Sequence, residues 1–221
     1  MLMFTPSNKT VAALAELKPY FICAHYLCCT MNNKQKWHNI AYSSWAVELV
    51  VLARQYCAKL TGTLTEEGEE TAAGGEVALQ DWLYPFLGLL FYKMSRCPNL
   101  QQSIEFDELG GSLSEFDYQQ VRTGVEELLG VDDVIAFELS EEEARIYQGA
   151  PHLSEIAADL YQELYELLIH YNDGEEERMV MALARCQYYF LMEWGTKLLL
   201  GLRWLQILHA ESFLVEDEED A

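Results

Sequence analysis

The chain is short of positive charge. Its 221 residues carry 14 lysines and arginines against 36 aspartates and glutamates, a formal net charge of -22 at pH 7. Phosphate backbones and anionic membrane surfaces are bound by neutralising them with Lys and Arg, so neither is an expected direct partner, and a protein partner should be basic. Paired cysteines are missing too. Cys23, Cys28, Cys29, Cys57, Cys97 and Cys186 form no C-x-x-C and keep no spacing of the kind a zinc site or disulfide scaffold shows. Cysteines scattered through apolar helical runs read as small core residues, which favours a reducing, cytoplasmic compartment. No uninterrupted apolar stretch reaches the roughly 18 residues of a membrane-spanning helix. The nearest, Val77 to Met94, is broken by Gln80, Asp81 and Lys93. The apolar run Tyr20 to Met31 does not read as a secretory leader. His25 interrupts it, Glu16 separates it from the charged start, and no small-x-small cleavage site follows. Gly-x-Ser-x-Gly, Gly-x-x-x-x-Gly-Lys, Gly-x-Gly-x-x-Gly and His-Glu-x-x-His are all absent, so no nucleophile elbow, phosphate loop, dinucleotide site or zincin helix is marked. Strand-like alternation and repeats of 20 to 50 residues are lacking as well.

What is present is apolar and helical. Hydrophobic residues make up 51% and aromatics 12%, enough for a sizeable core. From Ile40, Ala41, Trp45, Leu49, Leu52, Tyr56 and Leu60 trace one face of a long amphipathic helix that Gly62 stops. An acidic, Gly-containing loop follows at 63–76. Val77 to Met94 is apolar nearly all round and so should be buried on most sides, with Pro85 kinking or restarting it. A loop at 100–113 leads to Ser114, an N-cap signal for a helix with the stripe Val121, Val125 and Leu128 that Gly130 closes. Short helices or irregular chain are expected at 132–149. Pro151 and Ser154 open a helix to Tyr171, and Asn172-Asp173-Gly174 makes a turn. The last helix starts with Asp173 and Glu176 in a capping-box relation. Its stripe Met179, Leu183, Cys186, Phe190, Trp194, Leu198, Gly201, Leu205 and Leu208 runs about eight turns, roughly 45 Å, and should be the spine of the core. The fold class is therefore all-α, a single-domain antiparallel bundle with a long C-terminal helix.

Charge divides the chain. Residues 1–36 hold four lysines and one glutamate, whereas the remaining residues hold ten basic and 35 acidic groups. The expected organisation is an N-terminal extension at 1–36, a helical domain at 37–210 and a disordered acidic tail at 211–221. Met31 opens a polar stretch that reads as a native start.

Two constellations are candidates for chemistry or recognition. Glu155, Asp159, Glu163, Glu166 and His170 fall in one narrow sector of a helix, centred about 120 degrees from its apolar stripe. That offset predicts a solvated face. The alternative is a metal site, although the Glu-x-x-His pair of carboxylate-bridged bundles is absent. Around Glu193-Trp194-Gly195-Thr196-Lys197, the glycines Gly195 and Gly201 read as points of close helix contact, and Trp194 as core. A second reading has Trp194, Lys197 and Arg203 lining a ligand groove. The five histidines offer no paired spacing that would single out a general base.

Several stretches carry a family likeness. Ala158-Asp159-Leu160-Tyr161-Gln162-Glu163-Leu164 is the strongest, together with Cys186, Phe190, Trp194-Gly195, Lys197-Leu198 and Leu202-Arg203. Fainter matches lie at Leu83, Pro85, Leu90, Lys93 and Pro98, and at Asp117-Tyr118 with Val121-Arg122. From about Ala41 to Leu208 the chain resembles an uncharacterised bacterial family, domain of unknown function number 5063. It departs from that pattern around Glu141 to Gly149, and residues 1–30 have no counterpart in it. The resemblance implies an all-helical cytoplasmic protein and brings no catalytic residues. The functional expectation is a non-enzymatic interaction or regulatory module for a basic partner, with no cofactor. Its rival is a metal- or small-ligand-binding bundle using Asp159, Glu163, Glu166 and His170 or the groove near Trp194. Self-association through an apolar helix face is compatible with either.

Overall fold

The structure, a computed structural model, describes residues 33–62, 77–100, 109–136 and 150–219, with side chains from 35 to 211 within those ranges. The expectations for the Met31 start, for Cys23, Cys28 and Cys29, for the loop at 63–76 and for Glu141 to Glu143 lie outside the described residues. Within them the chain is helical, as expected, and the lone β-type pairing is an isolated bridge between Val134 and His152. Seven α-helices are described. Among the described residues no helix is long and apolar enough to cross a membrane.

The helix expected from Ile40 to Leu60 is two, α1 (Asn33–Ala41) and α2 (Ser44–Leu60). Ser43 makes the break. Its Oγ donates to the Ile40 carbonyl at 2.9 Å and accepts from Ala46 N at 3.2 Å, ending one helix and capping the next. α3 (Leu79–Ser95) contains Pro85 and is nevertheless continuous, neither restarted nor split. Pro85 lies on the solvent side, where water can satisfy the carbonyl that its missing N–H leaves open. Nor is α3 buried on most sides, since Leu89 and Tyr92 are about half exposed.

α4 (Glu115–Leu129) is capped by Ser114 as its sequence predicts, with Ser114 Oγ accepting from Asp117 N at 3.1 Å. Its buried stripe is Val121, Val125 and Leu129, and Leu128, expected inside, is 70% exposed. Gly130, at φ 57, turns the chain into a 3-10 turn, Gly130–Asp133. α5 (Leu153–Tyr171) begins where Pro151 and Ser154 placed it, but Ser154 does not cap it. The buried Asp133 does. Its carboxylate accepts from Ser154 N at 2.6 Å and Ser154 Oγ at 3.1 Å, and stands 2.7 Å from His152 Nδ1.

α6 (Glu176–Tyr189) follows the turn with no capping box. Asp173 pairs instead with Arg178 at 2.8 Å. The long last helix is interrupted by a π turn, Phe190–Trp194, before α7 (Gly195–Glu219). Gly195 is the reason for its own presence there. Its N–H bonds the Phe190 carbonyl, and a Cβ at 195 would run into that same oxygen, so this glycine serves the π turn and not a helix contact. Gly201 does serve a helix contact, because a Cβ there would stand 3.2 Å from Leu153 and 3.3 Å from Ile156. The segment expected as tail is helical as far as Glu219.

The spine is α5, not the last helix. It packs against α2, α4, α6 and α7, and its Leu153, Ile156, Leu160, Leu164 and Leu167 are buried almost completely. Tyr56 and Tyr171 fix α2 and α1 to it, donating to the carbonyls of Ala157 at 3.1 Å and Ala41 at 2.6 Å. Cys57 and Cys186 are buried free thiols within this core, and burial pushes Cys57 up to about 12.

Candidate functional site

The acidic stripe of α5, Glu155 apart, does not face water. Neighbours close over it on three sides, so a residue that is polar on the helical wheel is internal in the bundle. Glu166 is 1% exposed and His170 5%. Glu166 Oε1 accepts from the backbone N–H of Leu113 at 2.8 Å and of Ser112, while His170 Nε2 lies 3.0 Å from the Gly110 carbonyl. Together they hold the chain segment that leads into α4. Farther along, Asp159 accepts from Tyr118 of α4 at 2.8 Å and pairs with Lys197 of α7. Glu163 sits 3.6 Å from Arg185 of α6, and its Oε2 is buried without a hydrogen bond. Burial is the main reason its pKa rises to about 7, with Arg185 opposing and Glu193, Glu166 and Asp159 adding to the rise. Of the stripe, Glu155 alone is exposed.

This seam ties α5 to the elements around it. Asp159 is committed to Tyr118 and Lys197, Glu166 to two backbone donors and His170 to a carbonyl. Among the described residues no three His, Cys, Asp or Glu side chains gather as the ligands of a cation would. The structure brings Lys197 together with Asp159, joining the two candidate sets, but it scatters the groove expected from Trp194, Lys197 and Arg203. Trp194 is 2% exposed in the core against Phe190, and Arg203 borders a separate depression with Tyr84 and Gln206.

The more open feature is one that sequence reasoning missed. A cleft of about 750 Å³ runs between the end of α2, the start of α3, α4 and α5. Tyr161 and Tyr165 form part of its wall, their rings stacked at 5.7 Å and 24°. Asp117, Gln120, Gly124 and Leu128 line it from α4, and Lys59 from α2. Burial, with smaller contributions from Cys57, Tyr165 and Asp117, raises Tyr161 to about 12, so its hydroxyl stays protonated at neutral pH. The sequence signal was the pair Tyr161 and Tyr165, one helical turn apart on α5.

Beside the cleft, α4 turns an acidic face outward. Glu115, Asp117, Glu126 and Glu127 are exposed, and among the described residues none has an ion-pair partner. Set among them are Phe116, 75% exposed, Leu128, 70%, and, just past the helix, Val131, 91%. Exposed apolar groups beside carboxylates at both ends of α4 mark a surface that water does not favour and cations do.

The family model for a domain of unknown function (DUF5063) matches residues 40–211. The chain belongs to that family. No curated protein matches it. Among solved structures, the crystal structure of protein BF1032 from Bacteroides fragilis is similar, with 24% identity and a TM-score of 0.61 over 76% of this chain and 94% of that one. That likeness is one of fold. Membership of the family bears out the resemblance and carries no activity with it; the all-helical class is borne out by the structure and its neighbour.

Proposed function

We propose that this DUF5063 chain is a non-enzymatic interaction module, and that the α4 face with its adjoining cleft receives a basic amphipathic segment of a partner protein. The observation that carries this reading is the exposed set Glu115, Asp117, Glu126 and Glu127, without an ion-pair partner among the described residues, on the same helix as Phe116 and Leu128 and next to Val131. Several cations elsewhere are already paired within the molecule. Lys93, Arg178, Arg185 and Lys197 are each held in an intramolecular ion pair. A helix with lysines or arginines on one side and apolar groups on the other matches the α4 face in both respects. Lys59 at the far end of the cleft would orient it, keeping the basic residues toward α4.

The test is fluorescence anisotropy of a labelled synthetic amphipathic helix of lysine and leucine against the full chain. Binding should weaken as salt rises, and the double variant Glu126→Gln/Glu127→Gln should weaken it by roughly threefold to tenfold. A glutamate-for-lysine version of the peptide should not bind. No binding at low salt, or binding indifferent to the double variant, would contradict the reading.

A second reading, a small-ligand site, is favoured by the size of the cleft, which falls within the usual range for such pockets. It predicts a ligand insensitive to the α4 glutamates and lost when Gly124→Phe fills the cleft. The metal version of the rival reading has no gathered ligand set among the described residues to support it.

A further inference from the structure

On this acidic molecule α3 exposes an uncharged, partly apolar stripe. Along its solvent side stand Asp81, Pro85, Leu89, Tyr92 and Arg96 at the end of the helix, at spacings of four, four, three and four. Leu89 is 48% exposed and Tyr92 57%. The fully exposed positions between Asp81 and Arg96 carry no charge, and among the described residues neither terminal charge has an ion-pair partner. Gly88 lies beside the stripe in a groove of about 490 Å³ between α3 and α7, with nothing within 4 Å of where its Cβ would be. Leu199 of α7, 46% exposed, forms the other bank.

We propose that this face binds a second copy of the same chain, α3 against α3 antiparallel about a two-fold axis at Gly88 and Leu89. The stripe is self-complementary in that register. Asp81 of each copy faces Arg96 of the other, Pro85 faces Tyr92, and Leu89 enters the space over Gly88. Opposite charges about 22 Å apart at the two ends of one helix face fix an antiparallel partner and penalise a parallel one, which would bring like charges together. A glycine at the crossing point lets the helix axes approach. For a chain of net charge -22, self-association meets less repulsion along a helix stripe whose two charges pair across it, beside a groove that Arg203 also borders.

Sedimentation equilibrium of the full chain tests this directly. The wild type should run as two chains at micromolar concentration. Asp81→Arg alone and Arg96→Asp alone each set like charges opposite one another at both ends, and each should raise the dimer Kd by roughly tenfold or more. An equimolar mixture of these two variants should dimerise again, because every facing pair is then opposite in sign. Both positions are on the surface, and circular dichroism checks that the variants fold. A wild-type monomer at all concentrations would overturn the proposal, as would a mass above two chains or a dimer that neither variant moves. Dissociation by both variants without rescue in the mixture would overturn the antiparallel register.

Discussion

Glu166 shows why a residue that looks solvent-facing on a wheel is found inside. The stretch Gly110-Gly111-Ser112 has backbone donors and little side chain to screen them, and the carboxylate of Glu166 answers two of its neighbours' N–H groups. The presence of a polar sector on α5 was legible. Its burial was not, because that depends on which chain segment lies over the sector. Glu166→Ala should cost about 1–3 kcal/mol of stability in urea denaturation, since it removes a buried carboxylate that accepts two part-buried backbone N–H groups. Glu166→Gln, which keeps an acceptor, should cost less. Glu163 makes a pH prediction. Its folded pKa of about 7 lies above the ordinary 4.5, so the folded state binds the proton more tightly than the unfolded chain. Its contribution to stability is therefore full below about pH 4.5 and is lost as pH rises toward 7. Glu163→Gln should accordingly gain on the wild type as pH is raised through that window in thermal melts, with no further gain above it. A difference that is flat with pH would contradict the assignment.

At the scale of elements, starts were easier to read than interruptions. Ser114 and Gly130 bound α4 as their chemistry dictates, and Gly174 closes the turn before α6. These signals are local. The break at Ser43, the continuity of α3 through Pro85 and the π turn before α7 depend on what the neighbouring elements demand, and apolar periodicity alone runs straight through all three. The π turn does leave one trace in the sequence, a glycine at 195 inside a strong helical stripe. Gly195→Ala would drive a methyl into the Phe190 carbonyl and ring, so its melting temperature should drop sharply. Gly124→Ala on α4 has open space around it, and replacing a helical glycine should stabilise by about 0.5–1 kcal/mol. Equal effects of the two substitutions would mean that the π turn imposes no requirement at 195.

For the whole molecule, charge is the property read most directly and the one with the widest consequence. A net charge of -22 repels itself across a body that pairs only part of it, so added salt should raise the melting temperature at neutral pH by screening that repulsion. The fold class and the family followed from periodicity and from a handful of residues around Tyr161 and Trp194. The docking surface did not follow, because acidic residues are common along the whole chain and the exposure of Phe116 and Leu128 among those of α4 is a fact of three dimensions. Backbone amide NMR of the full chain during titration with the lysine and leucine peptide at low salt would locate the contact. If α4 is the docking face, shifts will concentrate on Glu115 to Val131 and on Tyr161 and Tyr165 across the cleft, leaving α6 and α7 unmoved. Shifts spread evenly over every exposed carboxylate, or centred away from α4, would contradict it.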